Sequence, residues 1–169
     1  MRVLVVSDTH IPSRGTELPR DLLKALDSGP DMVLHAGDLT SATTLEYFEG
    51  IPGFVGVEGN MDPPDIGGEL PRERIVEVSG LKVGILHGDG PGKGPEMFSN
   101  LASWFEDVDV VVSGHTHVPH FTVIDGIYLF NPGSCTDPRG GSAPSFGWID
   151  LERGGEPSFS VVPLGGRVL

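Results

Sequence analysis

Asp8-Thr9-His10, Gly37-Asp38, Gly59-Asn60, His87-Gly88 and Gly114-His115-Thr116-His117 each stand just past a short apolar run. The runs are VLVVS, MVLHA, GFVGVE, VGIL and VDVVVS. Side chains leaving the ends of adjacent strands can converge on one point. Aspartate, asparagine and histidine suit hard or borderline divalent cations. Seven such residues (Asp8, His10, Asp38, Asn60, His87, His115 and His117) exceed the needs of one ion and match two. Two ions roughly 3.5–4 Å apart are the usual machinery for hydrolysing phosphate esters.

Taken singly, the pieces are ordinary. Asp8-Thr9-His10 alone reads better as a capped turn with a loop histidine. Gly-Asp is a common turn, and Asn60 after Gly59 fits a left-handed turn asparagine. Gly114-His115-Thr116-His117 is the most specific, because two imidazoles two residues apart at a strand end can reach one centre. Five pieces, each at a strand end, argue jointly. A carboxylate has two oxygens, so Asp38 could serve two ions, and the Asn60 NH2 could face a phosphate oxygen. His35, inside an apolar strand, reads as a hydrogen-bonded histidine of the core or one supporting a ligand. His120, past Pro119, reads as loop surface. Cys135 reads as a small buried thiol.

The elements that must position these residues alternate in type. Strands are predicted at 2–7, 32–35 and 54–57, with helices near 18–28 and 42–49, the second capped by Ser41. Residues 62–71 read as a loop. Arg74–Val78 and Lys82–His87 form a hairpin around Ser79-Gly80. Pro95 opens a helix carrying Met97, Phe98, Leu101, Ala102 and Phe105 on one face, and a strand follows at 108–113. Four short strands finish the chain, at 121–124, 127–130, 146–151 and 158–162. Helix and strand alternate in the first two thirds, and strand dominates the last. The simplest architecture is one α/β domain over 1–169, with two facing sheets and helices outside.

The chain has 169 residues, enough for a substantial core. Its 25 glycines and 15 prolines imply many tight loops. No apolar stretch approaches 18 residues, so no membrane span is expected. The lone Cys135 excludes an internal disulfide and, with a first strand that lacks a leader's layout, fits a cytoplasmic location. A net charge of −13 argues against nucleic acid and anionic membrane as partners. It does not exclude a small phosphate ester, since bound cations would dominate the local field.

D-x-H, G-D, G-N, H-G and G-H-T-H in this order resemble the calcineurin-like metallophosphoesterase superfamily. The HAGD at 35–38, GNMD at 59–62 and NPGS at 131–134, with Pro138-Arg139 beyond, resemble its small YfcE-like phosphodiesterase branch. The resemblance implies a four-layer α-β-β-α sandwich with two mixed sheets and a dinuclear centre at the strand ends. One ion would be held by Asp8, His10, Asp38 and His117, and the other by Asp38, Asn60, His87 and His115, with Asp38 bridging. Manganese, nickel, iron and zinc are the family's usual ions. Asp38, Asn60 and His115 would be the catalytic side chains of a phosphodiesterase. Lys93 and Arg139, in Gly/Pro-rich loops, could add positive charge to the substrate site or be solvated surface. The chain departs from the pattern twice. Met61 stands where many members carry a histidine, and Asp89 follows His87-Gly88 where the branch often has another. Two other readings compete, a phosphomonoesterase and a non-catalytic scaffold such as the retromer subunit of this fold, whose ligand set is degraded. All seven positions here keep ligand types. Oligomeric state and natural substrate are not legible.

Counterion release needs several Lys or Arg contacts, and this chain has 11 basic against 24 acidic residues. No duplex DNA binding is expected near physiological salt. A sub-micromolar, sequence-independent complex in a gel-shift assay would contradict this.

Overall fold

The computed structural model describes residues 1–92, 94, 96–152 and 154–165. Alternation along the strands builds the layers, because successive side chains point to opposite faces. In β1 (Arg2–Val6), Val3 and Val5 face one way and Leu4 and Val6 the other, and all four are buried. A strand buried on both faces needs a layer on each side.

The first sheet has the order β10-β9-β1-β2-β3. It contains β1, β2 (Met32–His35), β3 (Phe54–Gly56), β9 (Ser145–Asp150) and β10 (Ser158–Pro163). One face carries Leu4, Val6, Val33 and Trp148 against Leu22 and Leu26 of α1 (Arg20–Asp27) and Leu45 and Phe48 of α2 (Ala42–Glu49). The second sheet has the order β4-β5-β6-β8-β7. It holds β4 (Glu73–Val78), β5 (Leu81–Leu86), β6 (Val110–Val112), β7 (His120–Ile124) and β8 (Ile127–Asn131). Val3, Val5, Leu34 and Ile149 meet Val83, Ile85, Val110, Val112 and Phe130 between the two sheets. Leu86, Val111 and Leu129 pack outward on Leu101 of α4 (Glu96–Ala102). The result is the expected α-β-β-α arrangement of two facing mixed sheets.

The sequence-based boundaries shift in a few places. Pro19 is the N-cap of α1 and lies outside its first turn, with ψ at 138°. Ser41 accepts from the Thr44 N–H and caps α2 as expected. The 62–71 loop contains one short helix, α3 (Pro64–Gly67), whose Ile66 is buried. β6 is three residues long, shorter than the 108–113 run. Pro95, expected to open α4, lies outside the described residues. The β4–β5 turn has positive φ at Ser79 (54°) and Gly80 (87°), the geometry that lets two-residue turns follow the twist of a hairpin.

The positions that matter for function follow from strand direction. β1, β2 and β3 run parallel, and so do β5, β6 and β8. Each sheet therefore gathers several C-terminal strand ends along one edge.

Gly147 in β9 shows how closely the sheets are set. A Cβ there would stand 2.5 Å from the buried Phe130 ring. Gly147→Val should destabilise the fold by about 1–3 kcal/mol through overpacking. Urea unfolding checks this, and a midpoint unchanged at equal m-value would contradict it.

Candidate metal centre

The strand ends deliver the residues. Asp8 lies two residues past β1, Asp38 three past β2, Asn60 four past β3, His87 directly after β5, and His115 and His117 just beyond β6. The ladders continue briefly beyond the strands: Asp8 N donates to the Gly37 carbonyl and His10 N to the Asp38 carbonyl, both at 3.0 Å. Gly114 N donates to the His87 carbonyl at 2.9 Å. The backbone then turns sharply. Asp8, His10, Asp38, His115 and His117 all have positive φ, between 45° and 64°. Non-glycine residues held in this region carry local strain, which persists only where the surroundings enforce it. Glycine supplies the clearance. A Cβ on Gly37 would lie 2.8 Å from His87 Nδ1, and one on Gly59 would overlap the Asp38 carboxylate.

Two groups of ligand atoms result. Asp8, His10, Asp38 and His117, all buried, each offer an atom within 4.8 Å of the others. His10 Nε2 lies 3.2 Å from His117 Nε2 and 3.4 Å from Asp38 Oδ2. On the other side, His87 Nε2 is 3.3 Å from the same Asp38 Oδ2 and 3.1 Å from Asn60 Oδ1. Asn60 Oδ1 is also 3.0 Å from His115 Nδ1. Asp38 Oδ2 thus stands between the two groups, while its Oδ1 accepts from the Met61 N–H at 2.7 Å.

The donor chemistry fits a cation. His87 Nδ1 faces the Ala36 carbonyl at 2.8 Å and His117 Nδ1 the Asp137 carbonyl at 2.5 Å. A carbonyl can only accept, so both Nδ1 atoms carry the proton and a neutral ring leaves its Nε2 lone pair turned inward. Those lone pairs look at oxygens that are acceptors too. Asp8 is fully buried, and its Oδ1 has no hydrogen-bond donor among the described residues. His117 Nε2 is 3.2 Å from this oxygen and His10 and His87 Nε2 are each 3.9 Å from it. Such an assembly of acceptors needs positive charge. A proton can supply it: burial opposes protonation of His87, but Asp38 and Asp8 outweigh it and push the imidazole up to about 9. His117 is opposed by burial and raised by Asp8 in the same way. A divalent cation satisfies the same field better, because one ion can meet several lone pairs at once. His10 and His115 are lowered, chiefly by burial, and stay neutral and available as ligands at pH 7.

Around these residues stands a supporting layer that the sequence reading left without roles. Asp62, at the end of the GNMD run, accepts from the N–H groups of Asp38 (3.1 Å), Thr40 (2.7 Å) and Gly59 (2.8 Å). It ties the loop after β2 to the loop after β3. Ser134 Oγ donates to the Asp8 carbonyl and Thr136 Oγ1 to the Thr9 carbonyl, both at 2.7 Å. Asn131 Nδ2 donates to the Gly114 carbonyl at 2.6 Å. The NPGS run at 131–134 was the available signal for Asn131 and Ser134, while Thr136 lies beyond it. For Asp62 the GNMD run was the signal, though the run alone does not say which backbone groups its carboxylate holds.

The remaining predicted residues are sorted by the structure. His35 is core, as expected: its Nδ1 accepts from the Gly37 N–H at 3.2 Å and its Nε2 lies 3.3 Å from Thr9 Oγ1. Burial pushes it down to about 3, so it is neutral. Cys135 is buried, and burial pushes its thiol up to about 12, which leaves no thiolate nucleophile. His120 is corrected. It is not loop surface but the first residue of β7, with its ring stacked on Phe98 at 4.1 Å. The strand begins one residue early because His120 pairs with Asn131 of β8. Arg139 Nη2 is 3.5 Å from Asp137, which also holds His117, so it stands beside the first group. Lys93 lies outside the described residues. Arg72 lines a cleft with His87 and Gly88. Its guanidinium is 3.0 Å from Asp89, so the unusual acidic residue after His87-Gly88 comes with its own counter-charge.

Comparison with known proteins agrees with this geometry. The calcineurin-like phosphoesterase superfamily domain matches residues 1–154. A probable metallophosphoesterase of Methanothermobacter thermautotrophicus is 39% identical over 139 residues, covering 82% of this chain and 80% of that protein. The zinc-complexed vacuolar protein sorting 29 protein of Entamoeba histolytica superposes with a TM-score of 0.77 at 25% identity, covering 96% and 99% of the two chains. The phosphoesterase YfcE of E. coli shares the fold, with a TM-score of 0.68 at 22% identity over 98% and 100% of the chains. With its buried Asp and His cluster at the strand ends, the chain belongs to the calcineurin-like phosphoesterase superfamily.

Proposed function

We propose that this protein hydrolyses phosphodiesters with two divalent cations. Asp8, His10, Asp38 and His117 hold one, and Asp38, Asn60, His87 and His115 hold the other. The observation that carries this reading is the position of Asp38 Oδ2, 3.4 Å from His10 Nε2 on one side and 3.3 Å from His87 Nε2 on the other. One carboxylate oxygen between two nitrogen-rich groups suits a bridge. Manganese, nickel, iron and zinc all accept this mixture of imidazole, carboxylate and amide oxygen.

When bound, such ions lower the pKa of water from 15.7 toward about 7 and neutralise charge on phosphoryl oxygens. The protein's own groups do the positioning. Asn60 points its Oδ1 at His87 and His115, which leaves its NH2 to donate to a phosphoryl oxygen. Neutral His115 is lowered chiefly by burial and next by His87, so it adds no charge of its own at pH 7. Arg72 and Arg139 stand on opposite sides of the centre, each held by a carboxylate, and raise the local potential for an anion in an otherwise acidic protein. The reading places the enzyme in the cytoplasm, acting on a small ester and not on nucleic acid or membrane.

A non-catalytic scaffold is the competing reading, favoured by the likeness to vacuolar protein sorting 29 along nearly the whole of both chains. That relative was solved with zinc, so metal binding alone does not separate the two. Turnover does.

Protein loaded with manganese should hold close to two ions per chain by elemental analysis. Asp38→Ala should lose the bridge, the ions and at least about 10³-fold in activity, the scale on which an essential charged group is missed. Binding of no transition metal under any loading condition would overturn the enzyme reading.

Met61 is 59% exposed, and its thioether cannot donate a proton to a departing alkoxide. General acid help is worth about 10²–10⁴-fold where it operates. Rates should therefore fall steeply as leaving-group pKa rises, with activated aryl diesters far ahead of alkyl ones. Met61→His should flatten that slope, since its N–H lies beside Asp38 and the new ring would face the same space. A wild-type rate insensitive to leaving-group pKa would count against bond cleavage without protonation.

A further inference from the structure

A cavity of about 160 Å³ opens beside the second ligand group. Gly88, which follows His87, and Gly114, which precedes His115, form its near wall. Met97, Phe98 and Leu101 of α4 form its far wall. The lining is mainly apolar, and its polar side chains are Ser113, Thr116, Asn131 and His120. His120 lines the cavity, and its Nε2 is buried with no hydrogen-bond partner among the described residues. A buried polar atom without a partner costs free energy, so it marks a place where a ligand or water is expected to bond. The volume is close to the roughly 150 Å³ that an apolar cavity needs to hold one benzene ring. The Phe98 and His120 rings stack at 4.1 Å with 23° between their planes. Both rings line the cavity as a face-to-face stack, and the Met97 thioether adds a soft, adaptable contact.

We propose that this cavity is the leaving-group subsite, and that it selects phosphodiesters whose departing alcohol is a single aromatic ring with a polar substituent. The proposal rests on the phosphodiesterase reading above. Gly88 and Gly114 adjoin His87 and His115 in the chain, and a Cβ on Gly88 would stand 3.8 Å from the His115 Cβ, so this wall of the cavity lies next to the second ligand group. A phosphorus at the strand ends can thus send its leaving oxygen toward α4. His120 Nε2 then bonds the ring's substituent, donating or accepting according to tautomer. A two-ring group exceeds the volume, and a small alkyl group leaves it unfilled. His120 is here a specificity residue that touches substrate away from the reacting atoms.

The test has two arms. In the first, phenol is titrated into the full-length protein, with and without zinc, and followed by NMR. The His120 Cε1–H and Phe98 ring signals should shift saturably, and 1-naphthol should not shift them. Met97→Trp, which fills the cavity, should abolish the effect, and His120→Leu should weaken it about tenfold, the usual scale for one pocket contact. In the second arm, KM is compared for a phenyl ester and a fluorinated alkyl ester of matched leaving-group pKa. The phenyl ester should have a KM about tenfold lower, and Met97→Trp should bring the two values together. Absence of phenol shifts at His120 and Phe98 would overturn the subsite even in an active enzyme. Equal KM values in the wild type would do the same. Phenol binding without hydrolysis of any diester would instead sink the phosphodiesterase reading, and with it the leaving-group role.

Discussion

Two carboxylates buried side by side govern this molecule. Asp8 is wholly buried and Asp38 nearly so, and neither meets a lysine or arginine among the described residues. Burying an unpaired carboxylate is expensive, and burying two near each other more so. Partial compensation is visible. Asp8 accepts from Ser7 and from the His115 N–H, and Asp38 from the Met61 N–H. Burial alone would raise Asp38, but His87 and the Met61 N–H overcome it and hold the carboxyl below its ordinary value. Three inward-facing imidazoles complete the ring. The arrangement makes sense as a socket for positive charge.

Geometry of this kind is available only where several chain segments end together. Parallel strands supply that, because their C-terminal ends share an edge, and ligands in open α/β sheets collect there. Two such edges face each other here, one bringing Asp8, Asp38 and Asn60, the other His87, His115 and His117. The cost appears in the backbone, where Asp8, His10, Asp38, His115 and His117 adopt positive φ. Asp62, Ser134 and Thr136 hold those turns through hydrogen bonds to backbone atoms. His35 does the same from the core side, accepting from Gly37 while reaching Thr9. The supporting residues contribute little chemistry of their own, but they hold the strain that the ligands need.

This division explains what could be read from the sequence. The residues that gather at the strand ends were legible because each is a polar residue ending an apolar run, an anomaly visible in one dimension. The layers were legible because double-sided burial makes strands such as VLVV continuously apolar. The supporting bonds were not. Asp62 stands in the GNMD run, but its three backbone donors come from residues brought together only by folding. His120 misled for a related reason: Pro119 suggested a loop, whereas pairing with Asn131 draws the residue into β7. Arg72 has no sequence feature that links it to Asp89, 17 residues on, and the β4–β5 hairpin is what sets it against Asp89 and the cleft at His87.

The Arg72–Asp89 pair also bears on how a site so acidic overall can accept an anion. At 3.0 Å the two charges largely cancel at a distance, so Asp89 does not repel phosphate as an isolated carboxylate would. The pair is exposed, with Arg72 58% accessible, so its worth to stability is small and solvent screens it. Its effect is local. A phosphate approaching His87 meets the guanidinium on the cleft wall, and Asp89 fixes where that guanidinium stands. A histidine at position 89 would bring a donor without a tether for Arg72. The substitution therefore exchanges one way of offering positive character near His87 for another.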